Sequence, residues 1–346
     1  MTASAAARLF DLSQPLLSRL SPELAHAASL RALAVTWRVL HDARKSANER
    51  PVSLLGLRFA NPLGLAAGCD KNGDYLDALG SLGFGHVEIG TVTPRPQAGN
   101  PRPRLFRVPT QRAVVNRMGF NNKGIDHVVT RLQRRRYTGI CGVNIGKNAD
   151  TPLARAEDDY LLCFRKAYSQ ADYFVINVSS PNTAGLRDLQ SEEGLERIAG
   201  ALFEERRLLA SATKRCVPVL VKIAPDLAPA EIISLAALIG RLQFDGVVAT
   251  NTTIDLAPVA GVLPAGVTGG LSGAPLHARS LDVIRRLRSA LGPEYPIIGV
   301  GGICDAASAA DTLQAGANLI QLYTGFIFRG PALIDEILCG ANGQRS

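Results

Sequence analysis

The sequence predicts an α/β fold, a closed (β/α)8 TIM barrel with a small N-terminal α-helical hairpin extension. Short apolar runs follow one another from about residue 63 onward, as is typical of parallel strands buried on both faces. The segments between them are long enough for crossover helices, for example Ala230–Leu242 and Leu281–Leu291. A chain of 346 residues accommodates such a barrel and a short extension.

Eight runs are candidate strands of the barrel. They are Leu63–Ala67, His86–Gly90, Ile140–Ile145, Tyr173–Val178, Val217–Ile223, Gly246–Thr250, Pro296–Val300 and Leu319–Leu322. Strand and helix patterns alternate through this region, which also leaves a doubly wound open sheet as the structural alternative.

The positions of the polar residues favour the barrel over the open sheet. Each lies at or just after the C-terminal end of a candidate strand: Lys71, Thr91, Asn144, Asn177, Lys222 and Asn251. In a barrel all these strand ends converge on one face, where active sites are built. An open sheet would bring together only the strands near its switch point.

Residues 1–48 form a separate unit, and residues 49–346 form the predicted catalytic barrel. Leucines recur at helical spacing from Leu9 to Leu20, and Ser21-Pro22 then provides a favourable start for a second amphipathic helix. The periodicity leaves two alternatives for this hairpin. It is a lid packed wholly on the barrel, or it also presents an apolar surface to lipid.

Composition excludes several functional classes. The net charge is +8, but aromatic residues are only 5% and no basic stripe is interleaved with them, so nucleic acid is not an expected partner. The six cysteines form no C-x-x-C pair and no cluster with metal-ligand spacing, which favours reduced thiols and no metal. No apolar run is long enough to span a bilayer, so any membrane contact is peripheral.

Two glycine-containing loops follow the last two candidate strands, at Gly299–Gly302 and Tyr323–Gly325. Barrels commonly bind phosphate there through backbone amides, although such loops are also found as tight turns. Lys222 ends an apolar strand, where an ammonium is costly to bury without an anionic partner. It forms a buried ion pair, or it faces the anionic edge of a cofactor.

Asparagines are concentrated in three segments, Asn116–Phe120, Asn177–Asn182 and Asn251-Thr252. A carboxamide supplies both a donor and an acceptor, so several of them recognise a planar ring with amide-like edges. Together with Lys71 they predict a pocket for a small, anionic, amide-rich ring. A hydrogen-bonded turn is the alternative for any one of these segments taken alone.

These residues carry a resemblance to the dihydroorotate dehydrogenase family. The motifs occur in the family's order from roughly residue 20 to residue 332. They are Ala66–Gly73, Gly90–Gln97, Asn116–Phe120, Asn177–Arg187, Gly269–Gly273 and Gly316–Gly325. The resemblance implies oxidation of dihydroorotate to orotate in pyrimidine biosynthesis, with FMN as cofactor.

The resemblance also implies residue roles. Matching positions for FMN are Ala67, Gly68, Cys69, Asp70, Lys71, Thr91, Asn144, Asn177, Lys222, Thr250, Gly273, Gly302, Tyr323 and Thr324. Matching positions for the substrate are Lys71, Asn116, Arg117, Met118, Gly119, Phe120, Asn177, Asn182, Asn251 and Thr252. Ser180 matches the catalytic base, which takes a proton from C5 while C6 delivers hydride to flavin N5. A serine hydroxyl needs help to act as a base, and we expect desolvation by Phe120 and a hydroxyl relay through Thr183.

Two features place the resemblance in the quinone-reducing class. The soluble class, which uses fumarate or NAD and is the alternative, has a cysteine at the position of Ser180. The quinone class has an N-terminal helical extension, in which His26 resembles a quinone-site residue together with Arg107 and Tyr323. A ubiquinone or another membrane quinone is therefore the expected acceptor, and the hairpin the expected membrane contact. A phosphate-binding barrel without turnover is a further alternative.

The resemblance also implies a location and leaves one departure. We expect a peripheral protein on the cytoplasmic side of a bacterial inner membrane, or of the mitochondrial inner membrane if the source is eukaryotic. Cys69 stands where the family pattern has a bulkier apolar residue, so thiol modification is expected to affect FMN binding.

Overall fold

The computed structural model describes residues 5–40 and 50–340. The predicted boundary between residues 48 and 49 lies outside these described residues, so the division into two units stays a prediction. The strands are β1 (Val52–Leu54), β2 (Leu57–Phe59), β3 (Leu63–Leu65), β4 (His86–Val92), β5 (Leu105–Val108), β6 (Ala113–Asn116), β7 (Ile140–Ile145), β8 (Tyr173–Asn177), β9 (Val219–Ile223), β10 (Gly246–Ala249), β11 (Gly270–Gly273), β12 (Ile297–Val300) and β13 (Leu319–Leu322).

The helices alternate with the barrel strands. They are α1 (Ala5–Leu17), α2 (Pro22–Leu40), α3 (Leu76–Gly80), α4 (Ile125–Gln133), α5 (Ala156–Ala167), α6 (Glu192–Thr213), α7 (Pro229–Arg241), α8 (His277–Leu291), α9 (Ala306–Gln314), α10 (Thr324–Arg329) and α11 (Pro331–Gly340).

A closed parallel barrel is formed by β3, β4, β7, β8, β9, β10, β12 and β13, in that order, and β13 pairs with β3 to close it. The predicted (β/α)8 TIM barrel is confirmed. Both ends of every candidate strand lie within two residues of the corresponding ends of the observed strand. Alternate side chains divide between two layers, as β8 illustrates. Phe174 and Ile176 pack outward against helices, whereas Tyr173 and Val175 point into the barrel.

The β1–β2 hairpin closes the N-terminal end of the barrel. Its apolar side chains pack against the interior residues, and Phe59 is fully buried. The Phe59 ring meets the ring of His86, on β4, edge-on at a centroid distance of 5.3 Å. Because the hairpin covers this end, ligands reach the barrel from the opposite end.

An antiparallel sheet of β5, β6 and β11 lies outside the barrel. This sheet was not predicted from the sequence, because its strands are four residues long and β11 (Gly-Leu-Ser-Gly) has no apolar alternation. The sheet sets the position of Asn116, the last residue of β6, which pairs with Gly270 and Leu105.

The N-terminal helical hairpin packs against α3, α11 and β5. The ring of Phe10 lies so close to Gly330 that a Cβ there would be 2.4 Å from it. The other face of the hairpin is open, with Leu12 80% and Leu16 66% exposed on α1, and Val35 67% exposed on α2. The hairpin therefore does not bury all its apolar residues on the barrel, which favours the second of the two alternatives, and a contact with lipid stays a prediction. None of the helices among the described residues combines the length and apolar character needed to cross a membrane.

Candidate active site

A cavity opens at the C-terminal end of the barrel, and the space within it and at its open mouth amounts to about 940 Å³. It brings together most of the residues that the sequence analysis proposed. From the cofactor set these are Ala67, Gly68, Lys71, Thr91, Asn177, Lys222, Thr250, Gly273, Gly302, Tyr323 and Thr324. From the substrate set they are Lys71, Asn116, Met118, Gly119, Phe120, Asn177, Asn182, Asn251 and Thr252, and Ser180 lies in the same wall.

Two ammonium groups face this cavity without a protein partner. Lys222 is 6% exposed, and burial lowers the pKa of its ammonium. Burial, together with the nearby charge of Arg104, likewise lowers the pKa of Lys71 to about 8. Within residues 5–40 and 50–340 neither side chain has a hydrogen bond or an ion pair. Lys222 is buried and Lys71 partly buried, and in the described part of the chain no carboxylate is in direct contact with either ammonium, which indicates that the cavity takes an anionic ligand.

The asparagine side chains form a connected network beneath the cavity. Asn144 accepts a hydrogen bond from the Thr91 hydroxyl at 2.5 Å and another from the Asn177 amide at 3.3 Å. The Asn177 oxygen in turn accepts from the amide of Asn251 at 3.3 Å and the backbone N–H of Ser179 at 3.2 Å. Asn177 and Asn251 are therefore held in fixed orientations at the cavity wall.

Ser180 lies on the loop that follows β8 and is 6% exposed. Its hydroxyl oxygen accepts a hydrogen bond from the backbone N–H of Asn182 at 3.3 Å. The Asn182 side-chain amide donates to the side-chain oxygen of Asn116 at 3.1 Å. The backbone carbonyl of Asn182 accepts from the side-chain amide of Asn100 at 3.1 Å. These contacts hold the loop against the β6 end of the outer sheet. Phe120 is 7% exposed and lines the same cavity.

The proposed relay through Thr183 has no direct support in the geometry. Thr183 is 8% exposed but does not line the cavity. In the described part of the chain its hydroxyl is not hydrogen-bonded to Ser180. The relay stays a prediction.

The glycine loop after β12 approaches the cavity closely. Gly302 has φ +74°, and a Cβ there would lie 2.6 Å from the backbone nitrogen of His277. Only glycine fits this position without displacing the start of α8. The loop therefore presents its backbone to the cavity, together with Thr324 and Gly325 at the start of α10.

Three predicted cofactor residues lie behind the cavity wall. Asp70 accepts backbone hydrogen bonds from Asn72, Asp74 and Tyr75, and so shapes the loop that carries Lys71. Asn144 acts through Thr91 and Asn177, as described above. Cys69 is 6% exposed, and burial raises the pKa of its thiol to about 12. A protonated, buried thiol reacts slowly, which argues against the expected sensitivity to thiol reagents.

One predicted substrate residue points away from the cavity. The guanidinium of Arg117 donates two hydrogen bonds to the carbonyl of Pro103, at 3.1 and 2.9 Å. Arg117 lines a second, outer pocket that shares Asn182 with the main cavity. A substrate contact of its side chain stays a prediction.

The three predicted quinone residues lie on the hairpin (His26), on β5 (Arg107) and in the cavity wall (Tyr323). Tyr323 lines the cavity and packs against Gly68, whose Cβ would be 3.1 Å from the tyrosine ring. Burial lowers the pKa of His26 to about 4, although a hydrogen bond with the Cys69 backbone opposes this shift. His26 is therefore neutral at physiological pH.

Arg107 has a contact that the sequence did not indicate. Its guanidinium donates to the carbonyls of Leu17, Ser18 and Leu20, at 3.1, 3.1 and 2.5 Å. These carbonyls belong to the C-terminal end of α1 and the turn after it, so Arg107 caps the helix and ties the turn to β5.

Sequence reasoning gave no individual role to several residues of the site. The cavity is also lined by Ala66, Ser272, Leu276, Ile303 and Gln321, and by Val300, Gly301 and Gly325 of the two predicted phosphate-binding loops. Glu88 lies beneath it and was missed as well. The signal for Glu88 was its place in the apolar run His-Val-Glu-Ile-Gly, where an ionisable side chain is rare.

Comparisons with known proteins agree with this geometry. A family model described as dihydroorotate dehydrogenase matches residues 51–342. A relative from Cellvibrio japonicus, named dihydroorotate dehydrogenase (quinone), is 54% identical over 96% of this chain and 98% of its own length. A relative of the same name from Nitrosospira multiformis is 52% identical over 97% of each chain.

Two solved structures have the same fold. One is DHODH from Eimeria tenella in complex with ferulenol, with a TM-score of 0.83 and 37% identity over 92% of this chain and 90% of that one. The other is ligand-free DHODH from the same organism, with a TM-score of 0.82 and 37% identity over 92% and 93% of the two chains.

Proposed function

This chain belongs to the dihydroorotate dehydrogenase family, and we propose that it is a quinone-dependent member that oxidises dihydroorotate to orotate in pyrimidine biosynthesis. The soluble class is not favoured, because the relatives are named for quinone and because Ser180 stands where that class has cysteine. One observation carries the proposal. Ser180, the asparagine amides and two unpartnered ammonium groups line a single cavity at the end of the barrel where active sites form.

The cofactor is a flavin, and FMN fits the residues that are present. When bound, it accepts hydride from dihydroorotate and passes the electrons to quinone. Lys222 places an ammonium with no protein partner in the wall, where it balances negative charge on the cofactor. The backbone of Gly302 and the hydroxyl of Thr324 lie where a phosphate group would be held.

The substrate is held by amides and by Lys71. The cavity is lined by Asn116, Asn177, Asn182 and Asn251, and a dihydropyrimidine ring offers amide-like edges complementary to their carboxamides. Lys71 supplies the positive charge for the carboxylate of the substrate.

Ser180 is the base of the reaction. Its oxygen accepts a hydrogen bond from the Asn182 N–H, so the serine oxygen is already positioned to take the proton from C5 as it passes its own hydroxyl proton on, in the predicted relay to Thr183. The low exposure of Ser180 and the neighbouring Phe120 exclude water from this step.

Quinone reaches the cofactor through the N-terminal hairpin. His26 of the hairpin meets the Cys69 backbone, Arg107 donates to the turn of the hairpin, Tyr323 lines the cavity, and the open face of the hairpin carries exposed leucines; these positions support the proposal. The protein therefore works at the surface of the membrane that contains its quinone, the inner membrane of a bacterium or a mitochondrion. The hairpin is the membrane contact and the quinone entrance, and the barrel is the catalytic unit.

A comparison of electron acceptors tests the class. With dihydroorotate as donor, turnover should be supported by a soluble ubiquinone analogue and not by fumarate or NAD. Turnover with fumarate or NAD but not with quinone would contradict the assignment while leaving the family unchanged.

Orotate binding should depend on pH through Lys71. The pKa of this ammonium is about 8 in the free site, so an anionic ligand meets a charged lysine below pH 8 and a neutral one above it. The dissociation constant of orotate should be constant from pH 6.5 to 7.5 and rise toward about tenfold per pH unit above pH 8. Titration of the flavin absorbance with orotate measures it, and Lys71→Met should remove the pH dependence.

Membrane binding should depend on the open face of the hairpin. Replacing Leu12 and Leu16 with glutamate exchanges apolar contact with lipid for two charges, so binding to vesicles of anionic phospholipid should fall at least tenfold. Co-sedimentation measures it. The matched control replaces Leu208 and Ile233, which are 51% and 52% exposed on barrel helices, and should leave binding unchanged. Equal loss in both variants would contradict a role of the hairpin.

A further inference from the structure

A buried carboxylate, Glu88, lies inside the barrel beneath the proposed flavin site. Glu88 is 0% exposed and belongs to the inward-facing residues of β4. One of its oxygens accepts a hydrogen bond from Asn144 at 2.8 Å. The other accepts from Gln321 at 2.8 Å and from Tyr173 at 3.4 Å. Glu88 accepts from three donors, an arrangement that suits the ionised carboxylate.

The hydrogen bonds above Glu88 run in one direction. Because a carboxylate only accepts, the Asn144 amide must turn its NH2 toward Glu88 and its oxygen toward Thr91 and Asn177. Asn177 must then turn its NH2 toward Asn144, which leaves its own oxygen for Asn251 and Ser179.

The far end of this chain imposes the same direction. The backbone N–H of Ser179 can only donate, and it donates to the oxygen of Asn177. The two amides between Glu88 and Ser179 therefore have one consistent orientation. Asn177 and Asn251 line the cavity, so the orientation of these amides is set from two ends, by the Ser179 N–H and by a carboxylate that does not line the cavity.

Glu88 also acts on charge. Burial lowers the pKa of the Lys222 ammonium, and the negative charge of Glu88 opposes that shift. The other titratable groups around Glu88 are neutral near pH 7, because burial lowers the pKa of His86 to about 3 and raises that of Tyr173. Glu88 thus balances the charge of Lys222 before an anionic ligand arrives.

We infer that Glu88 is a positioning residue that fixes the amide orientation of Asn144 and Asn177 and places a compensating negative charge beneath the cofactor. The inference rests on the proposed flavin site. It assigns to Glu88 two separable effects, on the affinity for FMN and on the reduction potential of the bound flavin.

The test compares Glu88→Gln with Tyr173→Phe as purified holoenzymes. Glutamine keeps the shape but removes the charge and adds an NH2 that can reverse the amides. Phenylalanine removes one neutral donor to Glu88 and leaves the carboxylate in place. Three quantities are measured: the flavin reduction potential at pH 7, the dissociation constant of FMN from the reconstituted apoprotein, and the melting temperature.

We expect Glu88→Gln to shift the reduction equilibrium of the flavin at least tenfold toward the reduced form, about 30 mV for two electrons, because a negative charge beneath it is gone. FMN affinity should fall at least tenfold. Tyr173→Phe should change both quantities less than threefold, although both variants lower the melting temperature. Equal effects of the two variants on potential and FMN affinity would show a merely structural role and overturn the inference.

Glu88→Asp completes the test and replaces Glu88→Gln if that variant does not fold. Aspartate keeps the charge but is one methylene too short to reach Asn144 as glutamate does. The reduction equilibrium of the flavin should stay within twofold of that of the wild-type protein, whereas FMN affinity should fall at least tenfold. Wild-type FMN affinity in Glu88→Asp would contradict the positioning role. Absence of flavin from the wild-type protein would instead refute the proposed function itself.

Discussion

Replacing Ser180 with alanine should slow the anaerobic reduction of the flavin by dihydroorotate by about 10²–10⁴-fold, the range typical of a positioned proton acceptor. The hydroxyl lies in the wall of the cavity, and its oxygen is held by the Asn182 N–H. Alanine removes the proton acceptor without adding bulk, so flavin content and orotate affinity should stay near wild type. Stopped-flow absorbance measures the rate.

Two further variants make this result specific. Ser180→Cys supplies a different proton acceptor and should recover part of the rate, increasingly as pH rises and the thiol ionises. Thr183→Ala removes a nearby hydroxyl that does not line the cavity, so an unchanged rate would eliminate the proposed relay. A wild-type rate of flavin reduction in Ser180→Ala would show that Ser180 is not the base.

Replacing Lys71 with methionine should weaken orotate binding at least 100-fold and at the same time stabilise the ligand-free fold. The Lys71 side chain is partly buried and has no hydrogen bond or ion pair among the described residues, and burial lowers the pKa of its ammonium from 10.5 to about 8. Below pH 8 the folded state therefore carries a charged group that it disfavours relative to the unfolded chain, by on the order of 3 kcal/mol. Titration with orotate and denaturant unfolding measure the two effects.

The direction of the stability change with pH follows from the lowered pKa. The advantage of the Lys71→Met variant should be full below pH 8 and vanish as pH approaches 10.5, where the unfolded chain also loses this proton. Lys123→Met is the matched control, because that ammonium is 56% exposed and paired with Asp74. If Lys71→Met destabilises the ligand-free protein, Lys71 has a structural partner and not a ligand-binding role.

Much of the barrel was predictable because its strands are buried on both faces. Such strands appear as continuous apolar runs, and β7 and β13 were located to the residue. The cavity was predictable for a related reason. Polar residues at the ends of apolar runs, such as Asn177 and Lys222, have few structural uses at those positions.

The features that sequence reasoning missed depend on contacts between distant segments. The outer sheet brings β6 beside β11, about 150 residues later, and neither strand has a periodic pattern. Arg107 donates to a backbone carbonyl of α1, and because every residue has a backbone carbonyl, such an acceptor cannot be recognised from the sequence. Glu88 was visible as a charge in an apolar run, but its role depends on which donors β7, β8 and β13 place against it.

Anaerobic mixing of the purified protein with dihydroorotate, followed by a ubiquinone analogue, examines both half-reactions in one sample. The flavin absorbance should bleach after mixing with dihydroorotate, and it should return rapidly when the quinone is added. A folded, flavin-containing protein whose absorbance does not change with dihydroorotate would contradict the proposed function, whatever the outcome with quinone.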